Sequence, residues 1–596
     1  MCDSCGCAEP AAVTRQPLST EIPLRSPRDP PRPEGSRGEG QWGAGYREPQ
    51  NAAEAAKKED DGLNVRARIE GVYREGGFSS IWPSDLRTRF RWHGLYTQRP
   101  ESEGYFMLRI RIPGGMLTAS QTDVIGNISE RYGRDVADIT DRQNVQLHWI
   151  RIEDVPQIWR ELEAVGLSTT EACGDTPRNI LGCPLAGIDA SEVVDASGVL
   201  REANAELVGN PAFSNLPRKF KISISGCAHQ CAGHEINDIG LVGAVGAGGS
   251  PGFDLWVGGG LSTNPMFAQR LGVFIRPGQV VPVVLGITAL FRDWGYRRAR
   301  NRARMKFLVR DWGPELFRTM LEQQIGLELT DLEEPQASPI SHREHTGVWP
   351  QKDGAYYAGF AAKAGRISGH QLRAAARLAE RFGRGRLRTT TQQKMVILDV
   401  PEARVDELIA ELETIDLPVN ASQWRKGTMA CTGIEFCKLA IVETKGRAAE
   451  LYRYLERRVP GFDEEIRINV NGCPNSCARY QTADIGLMGC LVTQKTRTND
   501  GDEKRKVEAY LVHLGGHTGE DRSFGRKVKG VKVLSSELGP YVEALVNRYR
   551  SERSPSDTFA SFVERMSDHD LERFGAKPPS GAPIPATAAL AEPRAS

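Results

Sequence analysis

Four cysteines stand in two short segments, "ACTGIEFCKLA" (Ala430 to Ala440) and "NGCPNSCARY" (Asn471 to Tyr480). Five residues separate Cys431 from Cys437 and three separate Cys473 from Cys477. Four thiolates offered by two loops suit either a tetrahedral zinc ion or a [4Fe-4S] cubane. Zinc knuckles usually place two or four residues between ligands, and the CxxxCxxC run of radical enzymes is missing. The spacing therefore favours the cubane, with buried thiols as the remaining reading. Gly472 and Pro474 flank Cys473 and bend the backbone so that both sulfurs and nearby N–H groups can face one inorganic core. A disulfide framework is not needed. At 596 residues the chain supports two to four cores stable without crosslinks, and its twelve cysteines cluster in pairs instead of spreading along it.

The elements that must carry these loops are duplicated. "GCAHQCAGHEINDIGLVG" (Gly226 to Gly243) and "GCPNSCARYQTADIGLMG" (Gly472 to Gly489) agree at nine of eighteen positions, both CxxxC pairs included. Upstream, "YFMLRIRIPGGMLTASQ" parallels "YYAGFAAKAGRISGHQ", and "ITDRQNVQLHWI" parallels "RTTTQQKMVILD"; downstream, "DLWVGGGLS" parallels "YLVHLGGHT". Each half reads as an extended run, a helix such as "SQTDVIGNISERYG" or "GHQLRAAARLAERFG", a β-branched run, and a second helix such as "VPQIWRELEAVG" or "EARVDELIAELETI". That is a split β-α-β half of an α+β unit. Two such halves are expected to pair about a pseudo-twofold axis, each followed by a larger α/β segment carrying cysteines, with a bulky ligand between the repeats.

The expected division is a tail over 1–45, a helical lead and first half-domain over 46–167, a first cysteine-bearing domain over 168–335, a second half-domain over 345–420, a second cysteine-bearing domain over 421–572, and a tail over 573–596. Both tails are rich in Pro, Gly and charge and poor in apolar residues, so they are expected to be disordered. Cys2, Cys5 and Cys7 fall in the first tail, where silent, solvated thiols are the expectation. The formal net charge of +1 argues against a bulk nucleic-acid binder. No apolar run approaches the roughly 18 residues of a membrane span, and no secretory leader is evident, so a protein of a reducing cytoplasm is expected. No GxGxxG fingerprint follows a strand, so electrons are expected from outside and not from a bound nicotinamide or flavin.

"CTGIEFC" followed by "NGCPNSC" resembles the signature of the sirohaem and [4Fe-4S] nitrite/sulfite reductase family, and the two-half organisation resembles it over about residues 45 to 570. The resemblance implies a duplicated fold of two ferredoxin-like half-domains and two sirohaem/Fe-S domains. It implies that Cys431, Cys437, Cys473 and Cys477 hold the cluster, with Cys477 also bridging to the sirohaem iron. Arg142, Arg178, Lys219 and Lys221 match the family's four substrate-side cations. The arginines are expected to anchor an oxyanion and the lysines, crowded by other cations, to donate protons. Arg109, Arg111, Arg218 and the run Arg297 to Phe307 are candidates for the carboxylates of sirohaem, the run being divided between that role, a ferredoxin-docking surface and solvent. The glycine runs "WVGGGLS" and "HLGGHTG" are candidates for close approach to the macrocycle.

The "KFK" of Lys219 to Lys221 resembles the sulfite-specialised branch; the nitrite-specialised plant type has asparagine at Lys221. The expectation is a monomeric, ferredoxin-dependent assimilatory sulfite reductase. Nitrite reduction to ammonia and a non-catalytic iron-sulfur electron carrier are the alternatives. "RFRWHGLYTQR" and "TTEACGD" resemble an actinobacterial-type branch in which Tyr96 and Cys173 would be joined by a thioether. In the first half, Cys173, Cys183, Cys227 and Cys231 are expected to be vestiges of the duplication, a second cubane being the lesser reading.

Overall fold

The computed structural model describes residues 51–334, 344–498 and 501–574. Cys2, Cys5 and Cys7, with most of both expected tails, lie outside the described residues. Phe574, assigned to the C-terminal tail by composition, is buried in the third core against Phe559 and Phe562.

Two of the sheets are the expected half-domains, but neither is built from its own half alone. The first contains Leu95–Thr97, Phe106–Ile110, Val145–Ile150 and Ala137–Ile139, and is completed by Arg366–Ile367 from the second half. The other contains Gly347–Pro350, Tyr356–Phe360, Met395–Val400 and Arg386–Thr389, and is completed by Met116–Thr118 from the first half. Each half lends the other an edge strand, so each covers an edge the other would leave open. The exchanged strands lead into matching helices, Ala119–Tyr132 and Gly369–Phe382, each started by a capping box: Thr118 with Gln121, Ser368 with Gln371. The helices cross at glycines. A Cβ on Gly126 would lie 2.7 Å from the Gly369 carbonyl oxygen, and one on Gly369 would lie 2.4 Å from that of Gly126. The two halves thus share one apolar core, from Val65 to Val419.

The remaining two sheets also repeat. Ile222–Ser225 pairs in parallel with Ile239–Val245, and Ile468–Asn471 pairs in parallel with Ile485–Thr498, both in the same register, Ile222 to Ile239 and Ile468 to Ile485. Antiparallel strands extend each sheet. Both CxxxC segments therefore occupy the connection that leaves the carboxyl end of the first parallel strand, where an α/β sheet has its ligand crevice. The tight path needs glycine: a Cβ on Gly226 would lie 1.7 Å from the Val194 carbonyl oxygen.

Candidate functional site

The cluster loops are fixed by backbone bonds and by the first half-domain. Cys431 N–H donates to the Val470 carbonyl (3.0 Å), Ile441 N–H to that of Gly472 (2.8 Å), and Gly472 N–H to Cys431 Sγ (3.2 Å). Cys437 N–H donates to the carbonyl of Gly433, whose φ of +76° suits glycine. Across the interface, Phe436 stacks on His148 at 3.8 Å, Gln146 Nε2 donates to Thr432 Oγ1 (3.0 Å), and Arg99 donates to the carbonyls of Lys438 and Ala440. The sheet of one half thus holds the first cysteine loop of the other.

Burial, followed by the charge on the Cys477 sulfur, pushes the Cys431 thiol up to about 12, Cys473 up to about 11, and Cys437 upward. Three thiols that resist ionisation around a fourth become stable as thiolates when a cation compensates them, because metal coordination deprotonates a thiol outright. None of the four is in a disulfide. The donor set fits a [4Fe-4S] cluster.

The substrate-side cations converge from three segments. Arg142 leaves a turn after Ala137–Ile139; its Nη1 donates to Asn237 Oδ1 (2.9 Å) and its Nη2 to the Asn179 carbonyl (2.6 Å). Arg178 is tethered through Nε to the Gly174 carbonyl (3.1 Å). Lys219 and Lys221 flank Phe220 ahead of the strand Ile222–Ser225, and neither ammonium donates to a described protein group. Burial, then the neighbouring Lys221 and Arg218, hold Lys219 well below the ordinary lysine value. Burial and the Arg142 guanidinium bring Lys221 down to about 7, with Asp141 pulling the other way. Burial lowers Arg142 to about 9.

Cys477 links the two sets. It is the exposed member of the cluster cysteines, and it lies close enough to Arg109, Lys219 and Lys221, as well as to the other three thiols, to act on them electrostatically. Arg109 donates through Nη1 to Cys173 Sγ (3.0 Å) and through Nε and Nη2 to Gln146 Oε1. Burial opposes its charge, yet the charges on Cys173, Tyr96 and Cys477 hold it above the usual arginine value. Tyr96 lies within reach of the same group: burial and then Cys173 push its hydroxyl up.

Several expectations change. Arg111 is not among the converging side chains. It is 3% exposed and spends its fork on Asn204 Oδ1 and the carbonyls of Glu171, Pro177 and Arg178, which makes it a brace for the segment that carries Arg178. Arg218 pairs with Asp175 at 3.4 Å. The run from Arg297 to Phe307 is not a uniform basic patch. Arg297 pairs with Glu54, Arg300 with Asp175 and Arg304 with Asp238, while Lys306 donates to the carbonyls of Gly260 and Leu261. The glycine runs pack backbone on backbone: a Cβ on Gly259 would lie 2.4 Å from the Glu235 carbonyl oxygen, and one on Gly516 2.5 Å from that of Gln481.

The sequence reading missed Asp141, Asp238, Asn237 and Arg479, which orient or balance the cations. Asp238 accepts from Lys221 N–H and from Arg304 (2.8 Å each). Arg479, at φ +52° two residues past Cys477, donates to the Thr391 carbonyl and faces Asp141. Arg142 Nε, Arg304 Nε, Asn179 Oδ1 and Gln481 Oε1 are buried without a hydrogen-bond partner. Unused guanidinium N–H groups beside two free ammonium groups fit a polycarboxylate macrocycle such as sirohaem.

The mirror positions of the second half do not repeat this site. The turns Thr140–Asn144 and Thr390–Lys394 share the same bonds: Thr140 and Thr390 each accept at Oγ1 from the amides two and four residues on. Arg142 therefore corresponds to Gln392, one position away from the sequence pairing. Lys221 N–H donates to Asp238 as Arg467 N–H donates to Asp484, so Lys219 corresponds to Glu465. Gln392, Lys394, Arg467 and Arg479 line a recess in the second half.

Comparison with known proteins accounts for this organisation. The model of the nitrite and sulphite reductase 4Fe-4S domain matches residues 173–329 and 425–573, and that of the nitrite/sulfite reductase ferredoxin-like half domain matches 98–165 and 349–415. The chain is 48% identical over 560 residues to a sulfite reductase [ferredoxin] of Mycobacterium tuberculosis strain H37Rv, covering 91% of this chain and 99% of the relative. It is 38% identical to an assimilatory ferredoxin-dependent nitrite reductase of Haloferax mediterranei, covering 84% and 89%. The solved structure of Mycobacterium tuberculosis NirA protein superposes with a TM-score of 0.84 at 47% identity, covering 90% of this chain and all of that one. The chain belongs to the nitrite and sulphite reductase family.

Proposed function

We propose that this protein reduces sulfite to sulfide in a six-electron reaction, with electrons from reduced ferredoxin. The observation that carries the reading is the position of Cys477, the exposed member of the four clustered cysteines, close enough to the other three thiols and to the buried Lys219 and Lys221 to act on them electrostatically. When bound, the cluster held by Cys431, Cys437, Cys473 and Cys477 stores electrons, and the sirohaem offers an iron at which the anion is reduced. The residues do the rest. Arg142 and Arg178, tethered at one end by protein carbonyls, present fixed charge to the oxyanion. Lys219 and Lys221 hold protons that burial and neighbouring cations make easy to release, and deliver them as oxygen leaves as water. Arg109 donates to Cys173 Sγ and holds fixed positive charge beside the substrate-side cations.

Steady-state comparison of sulfite and nitrite with reduced ferredoxin tests the substrate; dominant nitrite turnover would overturn the assignment. Absence of sirohaem absorption bands from the purified protein would point to an electron carrier. Lys221→Asn is expected to shift the ratio of kcat/KM from sulfite toward nitrite by about tenfold, because removing one ammonium weakens attraction most for the more highly charged anion.

The same reading takes the protein to be a cytoplasmic monomer that binds neither membrane nor nucleic acid. No helix among the described residues is long and apolar enough to cross a membrane. It also places a thioether between Tyr96 and Cys173, formed by loss of the thiol and ring hydrogens with dioxygen taking the two electrons. Peptide mass mapping is expected to find the joined peptides lighter by those hydrogens; recovery of both residues free would remove the bond.

A further inference from the structure

The first half's own cysteines form a compact group that the reductase chemistry does not use. Cys231 Sγ lies 3.8 Å from Cys227 Sγ, 3.8 Å from Cys183 Sγ and 3.7 Å from His345 Nε2. Ligand atoms of Cys183, Cys231 and His345 all lie within 4.8 Å of one another, and all three residues are buried. Cys173, the fourth thiol of the lesser cubane reading, is elsewhere, bound to Arg109.

We propose that Cys183, Cys227, Cys231 and His345 bind a structural zinc ion. A tetrahedron with Zn–S bonds of about 2.3 Å has S···S edges of about 3.8 Å, and its S···N edges are about 3.5 Å for Zn–N bonds of about 2.0–2.1 Å. The distances to Cys231 are those of such a shell. Cys227 Sγ, 3.8 Å from Cys231 Sγ but outside the set of ligand atoms that lie within 4.8 Å of one another, would complete the shell by rotating toward His345. A cubane fits poorly, because each of its irons takes a separate thiolate and the four sulfurs must spread around a larger core. A disulfide would require one pair to close to about 2.05 Å, leaving the third thiol and the imidazole without a role. A tetrahedral sulfur and nitrogen donor set selects zinc among common divalent ions, and a closed set of four protein ligands marks a structural site. Binding would ionise the thiols and release their protons, and the charge of the ion would compensate the thiolates in this apolar pocket.

The pocket shows what the ion would join. Leu185, Ala186 and Ile188 line it from the first cysteine-bearing domain, and Tyr357, Val396 and Leu398 from the second half-domain. His345 precedes the strand Gly347–Pro350 and lies 114 residues from Cys231. The ion would therefore tie the two halves across their interface. It would also brace the reaction centre: Thr391 Oγ1 donates to the Cys231 carbonyl (3.2 Å), and the Thr391 carbonyl accepts from Arg479, two residues past Cys477.

The test is metal analysis of the purified holoenzyme together with zinc K-edge absorption. About one zinc per chain is expected, with three sulfurs at about 2.3 Å and one nitrogen at about 2.0–2.1 Å. Cys231→Ser and His345→Gln are expected to lower zinc at least fivefold while sirohaem and iron stay near wild-type amounts, because these residues lie outside the reductase cofactor sites. Zinc below about one tenth per chain would overturn the proposal, as would zinc that persists in both variants, a zinc shell without sulfur, or a disulfide among these cysteines in a non-reducing peptide map. If the variants fail to fold, stoichiometry and absorption of the wild-type protein decide alone. These readouts do not depend on which anion the enzyme reduces.

Discussion

Cys477→Ser is expected to lower sulfite turnover by at least about a thousandfold, well beyond the roughly 10–100-fold that follows from disturbing only the partners of a metal ligand. The reason is positional. Cys431, Cys437 and Cys473 are buried or half-buried, whereas Cys477 is exposed and lies within electrostatic reach of Arg109, Lys219 and Lys221. Replacing its sulfur removes one cluster ligand and the connection to the anion site together. Serine matches the shape but is a harder, far less acidic donor. Cys490→Ser is the control, since Cys490 lies on the strand Ile485–Thr498 outside both groups; its activity is expected to be unchanged. The measurement is steady-state sulfide production, with iron and sirohaem content determined on the same samples. Retention of activity within tenfold by Cys477→Ser would remove it from the electron path.

Lys221→Met is expected to reduce kcat by about 10²–10⁴-fold, the range in which a positioned proton donor contributes. Lys221 is brought down to about 7, so the free enzyme carries its proton below that pH and loses it above. With the protonated lysine as the active form, kcat/KM for sulfite is expected to be level below about 7 and to fall about tenfold per pH unit above it. A bound anion favours the ammonium form, so the same limb in kcat is expected at higher pH. Lys221→Arg separates charge from proton supply: it keeps the positive charge but cannot release a proton near neutrality, so KM should stay near wild type while kcat falls. A raised KM with kcat unchanged in Lys221→Met would mean that Lys221 only binds. A profile without an alkaline limb would exclude it as the donor.

The contrast between halves shows how the duplicated fold can carry the proposed anion site in one copy without repeating its cations in the other. The same turn carries Arg142 in one copy and Gln392 in the other, and the positions of Lys219 and Lys221 become Glu465 and Arg467. The fold requires the turn, set by its threonine hydroxyl and its positive-φ residue, Gln143 or Gln393. It does not require the cation beside it. On the proposed function, one half serves the anion and the other the cluster.

The sequence by itself determined what local chemistry dictates. Cys431, Cys437, Cys473 and Cys477 were legible because a glycine-bent loop places its thiols through its own backbone, and the helices were legible because capping boxes and apolar spacing act over a few residues. Lys219 and Lys221 were singled out through a short, distinctive context, the "KFK" before the strand Ile222–Ser225. Only the tertiary structure decided which charges were already spent. Arg111 looked like a cofactor clamp until its fork was found on three backbone carbonyls and Asn204. Asp141, Asp238 and Arg479 gave no local signal, because an isolated charge on a chain is most often solvated. The exchanged strands, two and three residues long, are too short for a periodic pattern to mark. His345 becomes a neighbour of Cys231 only when the second half-domain folds against the first, and no spacing rule reaches across 114 residues.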